Sequence, residues 1–279
     1  MEYRHILYSV DDGVGRVLLN RPEVRNAQSR RLLEEMDDAF TQAANDPEVK
    51  VIILSGAGES FSAGHDLGSR EEKADREMRP YEGGLRGRYK RIWDLYIDMG
   101  LRWRNLPKPT IAMVHGYCIF GGWMIATAMD LIIASDDAKF LASHFQYFSV
   151  PYDVGVRKAK EILFEFRFMD AAEAERSGMV NRIVPRAQLE DETLALAKRI
   201  SLNDPFWLRL AKLSVNQAQD EMGYSTFVTS ALQTYALMSE AGGNTAAEQE
   251  EGGRRRFASV DRALAYEHER RQRSRSAGD

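Results

Sequence analysis

The sequence predicts an α/β domain over residues 1–200 followed by a helical region over 201–279. Two observations carry this expectation. As far as Pro185, short β-branched runs alternate with segments of helical periodicity, the order that strands and helices take in an α/β unit. Beyond Pro185 the strand signals fade and apolar residues recur only at helical spacing. With 279 residues, 44% hydrophobic and 29% charged, the composition is that of a globular chain with a sizeable core.

Ile6, Tyr8 and Val10 alternate with polar residues, Asp11-Asp12-Gly13 supplies a turn, and Val17 and Leu19 resume the pattern, so the chain opens on a hairpin. From Ser29 to Ala44, Leu32, Leu33, Met36, Phe40 and Ala43 share a helical face, and Asn45-Asp46-Pro47 stops the helix. Val49–Leu54, Thr110–Val114 and Leu131–Ala134 read as buried strands, the first ended by Ser55-Gly56. Between Ser69 and Asn105 a charged half, broken by Gly83-Gly84, is expected to be mobile. The aromatic half after it (Tyr89, Ile92, Trp93, Tyr96, Met99, Trp103) is expected to be a helix, either a pocket wall or an ordinary core element. Helical patterns follow at 187–201, 205–220 and 225–239, then a Gly/Ala/Glu linker at 241–253 and one more helix at 254–268.

The formal net charge of -4 argues against nucleic acid as a partner. The C-terminal arginines, Arg254 to Arg256, Arg262, Arg270, Arg271, Arg273 and Arg275, are interspersed with Glu267 and Glu269 and read as a solvated helix and tail. No apolar run approaches the roughly 20 residues of a membrane span, and the N-terminus lacks the order of a signal peptide, so the expected location is cytoplasmic. The single Cys118 leaves no internal disulfide and no cysteine zinc site, and its default role is a buried thiol. His5 and His115 read as packing residues, and no spacing among the histidines suggests a metal. The phrase GAGESF after a strand imitates a dinucleotide fingerprint, but Phe61 occupies the third glycine position and no acidic residue ends a following strand. GxxxxGK[ST], HExxH and GxSxG are absent.

Two glycine-bearing turns remain, FSAGHDL (61–67) and HGYCIFGG (115–122), each following a strand. Glycines there let backbone N–H groups point into open space, and two such turns can converge on one oxyanion.

These turns belong to an ordered set: LNRPEVRNA (19–27), VIILSGAGESFSAGHDL (51–67), LPKPTIAMVHGYCIFGGWMIATAMDLIIAS (106–135) and DAAEAERSGMVNRIVP (170–185). Together they resemble the crotonase, or enoyl-CoA hydratase/isomerase, superfamily. The resemblance implies a spiral of repeated ββα units and a helical C-terminal trimerisation region, giving a homotrimer or a hexamer of two trimers. It implies an oxyanion hole from the backbone N–H groups of His65 and Gly121. It also implies acyl-CoA as substrate or ligand, with no covalently bound cofactor, and a binding region at Arg25, Ala27, Ala63, Gly64, Asp66, Leu67, Phe120, Trp123 and Met124.

The departures from the family pattern bear on the reaction. The first hydratase glutamate, three residues past the oxyanion glycine, is Met124 here, and the second position, after DAKFLAS, is His144. Hydration needs a base for water and an acid for the α-carbon, and methionine is neither. Asp153 aligns with the DVG aspartate of dienoyl-CoA isomerases. His144 and Asp153, nine residues apart, also resemble the pair in 6-oxocamphor hydrolase, which cleaves a β-diketone. The chemistry expected is therefore C–C hydrolysis of a β-dicarbonyl or isomerisation of an acyl-CoA. Alternatively, His144 is a satisfied half-buried histidine and Asp153 caps a helix at 155–165, the protein being a non-catalytic acyl-CoA-binding or assembly partner, or a hydratase with a displaced acid/base. Two positions often lysine in the family are Glu59 and Gly68, which weakens the CoA expectation and leaves Arg25 as the candidate cation. Trp93, Phe120, Trp123, Phe145, Tyr147 and Tyr152 would make an aromatic surround suited to a compact substrate.

Overall fold

The computed structural model describes residues 2–142 and 148–243, with residues 264, 265, 268 and 269 beyond them. β1 (Ile6–Asp11) and β2 (Val14–Leu19) pair antiparallel across the predicted Asp12-Gly13 turn. The Ser29 hydroxyl accepts the Leu32 N–H and caps α1 (Arg30–Asn45), whose predicted apolar face is buried. β3 (Val51–Gly56) starts and ends two residues later than expected. Ser55 stays in the ladder because it pairs with both Leu18 and Met113.

The charged half of the segment from Ser69 to Asn105 is a correction: it is helical, as α2 (Arg70–Met78). Its anchor is Glu72, 1% exposed, whose carboxylate accepts the Arg30 N–H at 2.9 Å, Arg76 at 2.8 Å and Arg91 at 2.9 Å. A charged sequence conceals this because the buried residue is itself an acid, satisfied by three donors. α3 (Gly84–Ile92), a π-helical turn over Trp93–Asp98 and α4 (Met99–Arg104) continue the wall.

β4 (Thr110–Val114), β5 (Tyr117–Ile119) and α5 (Gly121–Thr127) form a long strand, a short strand and a helix, and β6 (Leu131–Ser135) and β7 (Lys139–Leu141) repeat the first two parts. α6 (Val150–Val154), α7 (Val156–Glu165), β8 (Met169–Asp170), α8 (Ala171–Arg176) and β9 (Arg182–Val184) follow. The chain then turns helical, as predicted, with α9 (Leu189–Ser201), α10 (Pro205–Glu221) and α11 (Tyr224–Gly243). α11 runs into the expected linker, so residues 241–243 are helical. The rest of that linker, and all but residues 264, 265 and 268 of the expected helix at 254–268, lie outside the described residues.

The large sheet has the order β1-β2-β3-β4-β6-β9, parallel except for the first pair, and the small sheet has the order β5-β7-β8. Both faces of the large sheet are covered, which explains its continuous apolar strands. Val17, Leu19, Ile52, Leu54, Ala112 and Val114 share a core with α1 and α5. Val51, Ile53, Ile111, Met113 and Ile133 pack with Leu189 and Ala197 of α9. Repeated ββα units with a parallel sheet are the crotonase-type α/β fold expected from the sequence. Among the described residues no helix is long and apolar enough to cross a membrane.

Candidate active site

Backbone pairing brings the two predicted turns together. Ser62 bridges Cys118 and His65 bridges Gln28, each in parallel sense. Ser62 N–H donates to Tyr117 O and Ile119 N–H to Ser62 O, both at 3.0 Å, while Gln28 N–H donates to Gly64 O at 2.7 Å. Three segments therefore lie side by side at the ends of β3 and β5. Their closeness depends on two glycines. Gly64 has φ +88°, and a Cβ there would stand 2.7 Å from Ile119 O and 3.1 Å from Gly121 N. A Cβ on Gly121 would stand 2.5 Å from Gln28 Oε1 and 2.7 Å from His65 Nδ1. Phe120, with φ 52°, turns the chain so that Gly121 begins α5, where first-turn N–H groups have no partner within the helix.

Outside this junction lies a cleft of ≈ 650 Å³ whose lining includes Arg25, Ala27, Ala63, His65, Asp66, Leu67 and Phe120. Seven of the residues named from the sequence are thus gathered in one place, with Gly64 in the turn that forms its wall. Asp66 lines this cleft and also holds the turn. Its side chain is 3% exposed, with Oδ2 2.9 Å from the Arg21 guanidinium and Oδ1 accepting the N–H groups of Gly68 and Ser69. Burial alone would raise its pKa, yet the bonds from Ser69, Arg21 and Gly68 hold the carboxyl below the usual range. It fixes the turn. Glu59 and Gly68, the positions where lysine was missed, line the same cleft.

On the inner side is a cavity of ≈ 10 Å³, room for about one water molecule. Gln28, His65, Tyr96, Gly100, Gly121 and Met124 are among its lining residues, and no carboxylate is. The Tyr96 ring stacks on the His65 ring with centroids 3.9 Å apart and planes at 25°. Burial pushes the Tyr96 phenol up to about 12, so it stays protonated. Gln28, 2% exposed, donates through Nε2 to Ser62 Oγ at 3.2 Å, while its Oε1 has no hydrogen-bond partner. Sequence reasoning missed Gln28, although it directly follows the LNRPEVRNA phrase.

Trp123 and Asp153 sit apart from both cavities. Trp123 is a core residue, 1% exposed and edge-on to Phe140, because its place on α5 faces the sheet and not the cleft. Its indole Nε1 donates to Asp153 Oδ2 at 2.6 Å, and the Ser149 hydroxyl donates to the same oxygen at 2.8 Å. Asp153 lies within α6, and Gly155 precedes α7, so Asp153 is not the cap for which it was an alternative. Burial raises its carboxyl from the usual 3.8 to about 6, against the bonds from Trp123, Ser149 and Thr127 that pull it down. Among the described residues it is the carboxyl group shifted upward; the other shifted ones, Asp12, Asp66, Asp137, Glu161 and Glu173, move down. His144, Phe145 and Tyr147 lie outside the described residues. Trp93, Met124 and Tyr152 pack against one cluster with Val228 and Leu232 of α11. His5 Nδ1 bonds Ser29 Oγ while its Nε2 lies 2.9 Å from Glu71 Oε2, and His115 Nε2 bonds Gly58 O, in packing roles. Burial raises the pKa of the Cys118 thiol, leaving it inert.

Comparison with known proteins identifies the family. The profile of the family described as Enoyl-CoA hydratase/isomerase matches residues 9–250. The Mycobacterium tuberculosis protein named "Putative enoyl-CoA hydratase EchA13" is 37% identical over 257 residues, 85% of this chain and 81% of that one. The crystal structure of an enoyl-CoA hydratase/isomerase from Xanthobacter autotrophicus Py2 superposes with a TM-score of 0.81 at 34% identity, covering 96% of this chain and 99% of that one. A probable enoyl-CoA hydratase from Mycobacterium thermoresistibile gives a TM-score of 0.78 at 40% identity over 86% of this chain and 99% of that one. With its paired glycine turns and its ββα core, the chain belongs to the enoyl-CoA hydratase/isomerase family.

Proposed function

We propose that the protein isomerises an acyl-CoA through an enolate held at the His65 and Gly121 N–H groups. The observation that carries this reading is the junction of the two glycine turns beside an inner cavity that no carboxylate lines, with Met124 where a hydratase needs its base. Moving a double bond from C3 to C2 of an acyl thioester needs one group that removes a proton from C2 and returns it at C4. Hydration needs two such groups.

Hydrolysis of a β-dicarbonyl would need a base at the oxyanion turns in the role expected of His144, and the described imidazole there, that of His65, is stacked on Tyr96. The cleft is the place for the CoA moiety, with Arg25 toward its phosphates, although Glu59 in the same lining opposes them. The helical part after residue 200 is the oligomerisation region, for α10 buries none of its residues within the protomer.

The test is turnover of 3-butenoyl-CoA and of crotonyl-CoA by the wild type and by Gly121→Ala, whose methyl would part the two turns. Isomerisation at rates ordinary for enzymes, lost by about 10²-fold or more in the variant, with little hydration, supports the reading. Rapid hydration of crotonyl-CoA, or undiminished isomerisation by the variant, refutes it. Acyl-CoA binding with no turnover of either compound would favour the non-catalytic role.

A further inference from the structure

An enolate held at the His65 N–H requires that this donor point at one place and stay there. A planar trans peptide unit carries its N–H on the side opposite its carbonyl. In the unit that joins Gly64 to His65, the carbonyl accepts the Gln28 N–H at 2.7 Å. The His65 N–H therefore points to the other side of the segment, where Ser62 bridges Cys118 of β5 and the chain runs on to Gly121. The next peptide unit is fixed from the same side, by the Asp66 N–H donating to Gln28 O at 3.0 Å. The aim of the donor is thus set by the bridge between Gln28 and His65. Neither residue belongs to a regular strand, so no long ladder stands behind that bridge.

One side chain spans it. Arg21 Nη1 donates to Ala27 O at 2.6 Å, on the residue before Gln28, and to Asp66 Oδ2 at 2.9 Å, on the residue after His65. Arg21 Nη2 reaches Ser69 Oγ at 3.3 Å and Glu71 Oε2 at 3.4 Å, at the start of α2. The Arg21 backbone is itself held, since its N–H donates to Asn26 Oδ1 and its carbonyl accepts the Asn26 N–H, both at 2.9 Å. The Asp66 carboxylate cannot swing away, because Oδ1 accepts the N–H groups of Gly68 and Ser69. The two side chains are 4% and 3% exposed. Desolvating both charges costs about as much as their attraction returns, so stability is a weak reason for the pair. What charge-assisted bonds do supply is direction.

We infer that Arg21 is a positioning residue for the reaction: through Ala27 O and Asp66 it clamps the bridge that aims the His65 N–H at the thioester oxygen. Arg21 is in the lining of neither the cleft nor the inner cavity, so it acts through the turn and not on the substrate. This rests on the enolate reading above and extends it to the group that keeps one donor in line. A donor displaced by about 1 Å loses about 10²-fold in rate.

The experiment binds butyryl-CoA, a saturated thioester carrying 13C at its carbonyl, to the full-length protein and reads the carbonyl stretch by difference infrared spectroscopy. Turnover of 3-butenoyl-CoA is measured alongside. The variants are Arg21→Met/Asp66→Asn, which removes both charges so that neither is buried alone, and Asp66→Asn, which keeps an acceptor for Gly68 and Ser69. Binding to wild type is expected to lower the frequency, as a donor aimed at the oxygen does. The double variant is expected to lose most of that lowering, with kcat down about 10²-fold and KM changed by less than about threefold. A merely structural role would weaken folding or binding without moving the frequency of the thioester that still binds. An unmoved frequency in a folded variant therefore overturns the inference, and Asp66→Asn carries the same test if the double variant does not fold. A lowering that the variants lose, in a wild type that does not isomerise, leaves the inference standing and removes the isomerase reading. Isomerisation and frequency both unchanged in the variants do the reverse. A wild type that binds no thioester, or binds it with no lowering, removes both.

Discussion

Replacing Asp153 by asparagine should stabilise the protein, and the amount follows from the environment of the carboxyl. Its rise from 3.8 to about 6 means that the folded state favours the protonated form. The unfolded chain loses its proton first as pH rises, so the contribution of this group to stability is full below about pH 4, declines from there to about pH 6, and stays low above it. The total decline is about 3 kcal/mol. Asparagine carries no charge, yet its amide oxygen can still accept from the Trp123 indole and the Ser149 hydroxyl. The variant should therefore match wild type at about pH 4 and exceed it by up to about 3 kcal/mol at about pH 8. Urea unfolding followed by tryptophan fluorescence, at one fixed protomer concentration, measures the difference at each pH. An advantage that does not change with pH would refute the reasoning. So would a variant less stable than wild type at about pH 8, since the carboxylate would then be at ease where it sits.

Gly121→Ala should abolish turnover by about 10²-fold or more while keeping far-UV circular dichroism, because its methyl would push against Gln28 Oε1 and the His65 ring and part the two turns. Full activity in that variant would show that the turns need not touch. If α10 joins copies of the chain, Trp207→Glu should dissociate them, since Trp207, 67% exposed, lies on α10 beside the exposed Phe206 and one turn from the exposed Leu210. Light scattering coupled to size exclusion checks this, and a monomeric wild type would contradict it.

Much of the frame was legible because the main elements satisfy local rules. The hairpin has its Asp12-Gly13 turn, α1 has a serine cap and a regular apolar stripe, and β4 and β6 are β-branched runs of ordinary length. β5, β7, β8 and β9 have two or three residues each, too few for any period to register. α2 is hidden from the sequence because nothing in REEKADREM shows that Glu72 faces inward onto the N-terminus of α1. At the site, the glycine turns were readable and their neighbours fell into one cleft. The inward position of Trp123 is not legible in the sequence because the phase of a seven-residue helix against its sheet is settled by packing. Tyr96 was visible as an aromatic, but the π-helical turn that aims it at His65 follows neither of the two periods that sequence patterns reveal.

α10 is held to the rest of the protomer by polar groups. Arg104 reaches Asn216 O and Gln219, and the Lys212 ammonium reaches Asp130 and Lys108 O. These contacts fix the rotation of the helix about its axis before any second chain arrives, so its apolar side is already displayed at a set angle. A copy that meets it has little left to order, and the meeting resembles the docking of two finished surfaces. The share of chains found together would then follow mass action, and simple dilution would be enough to draw them apart.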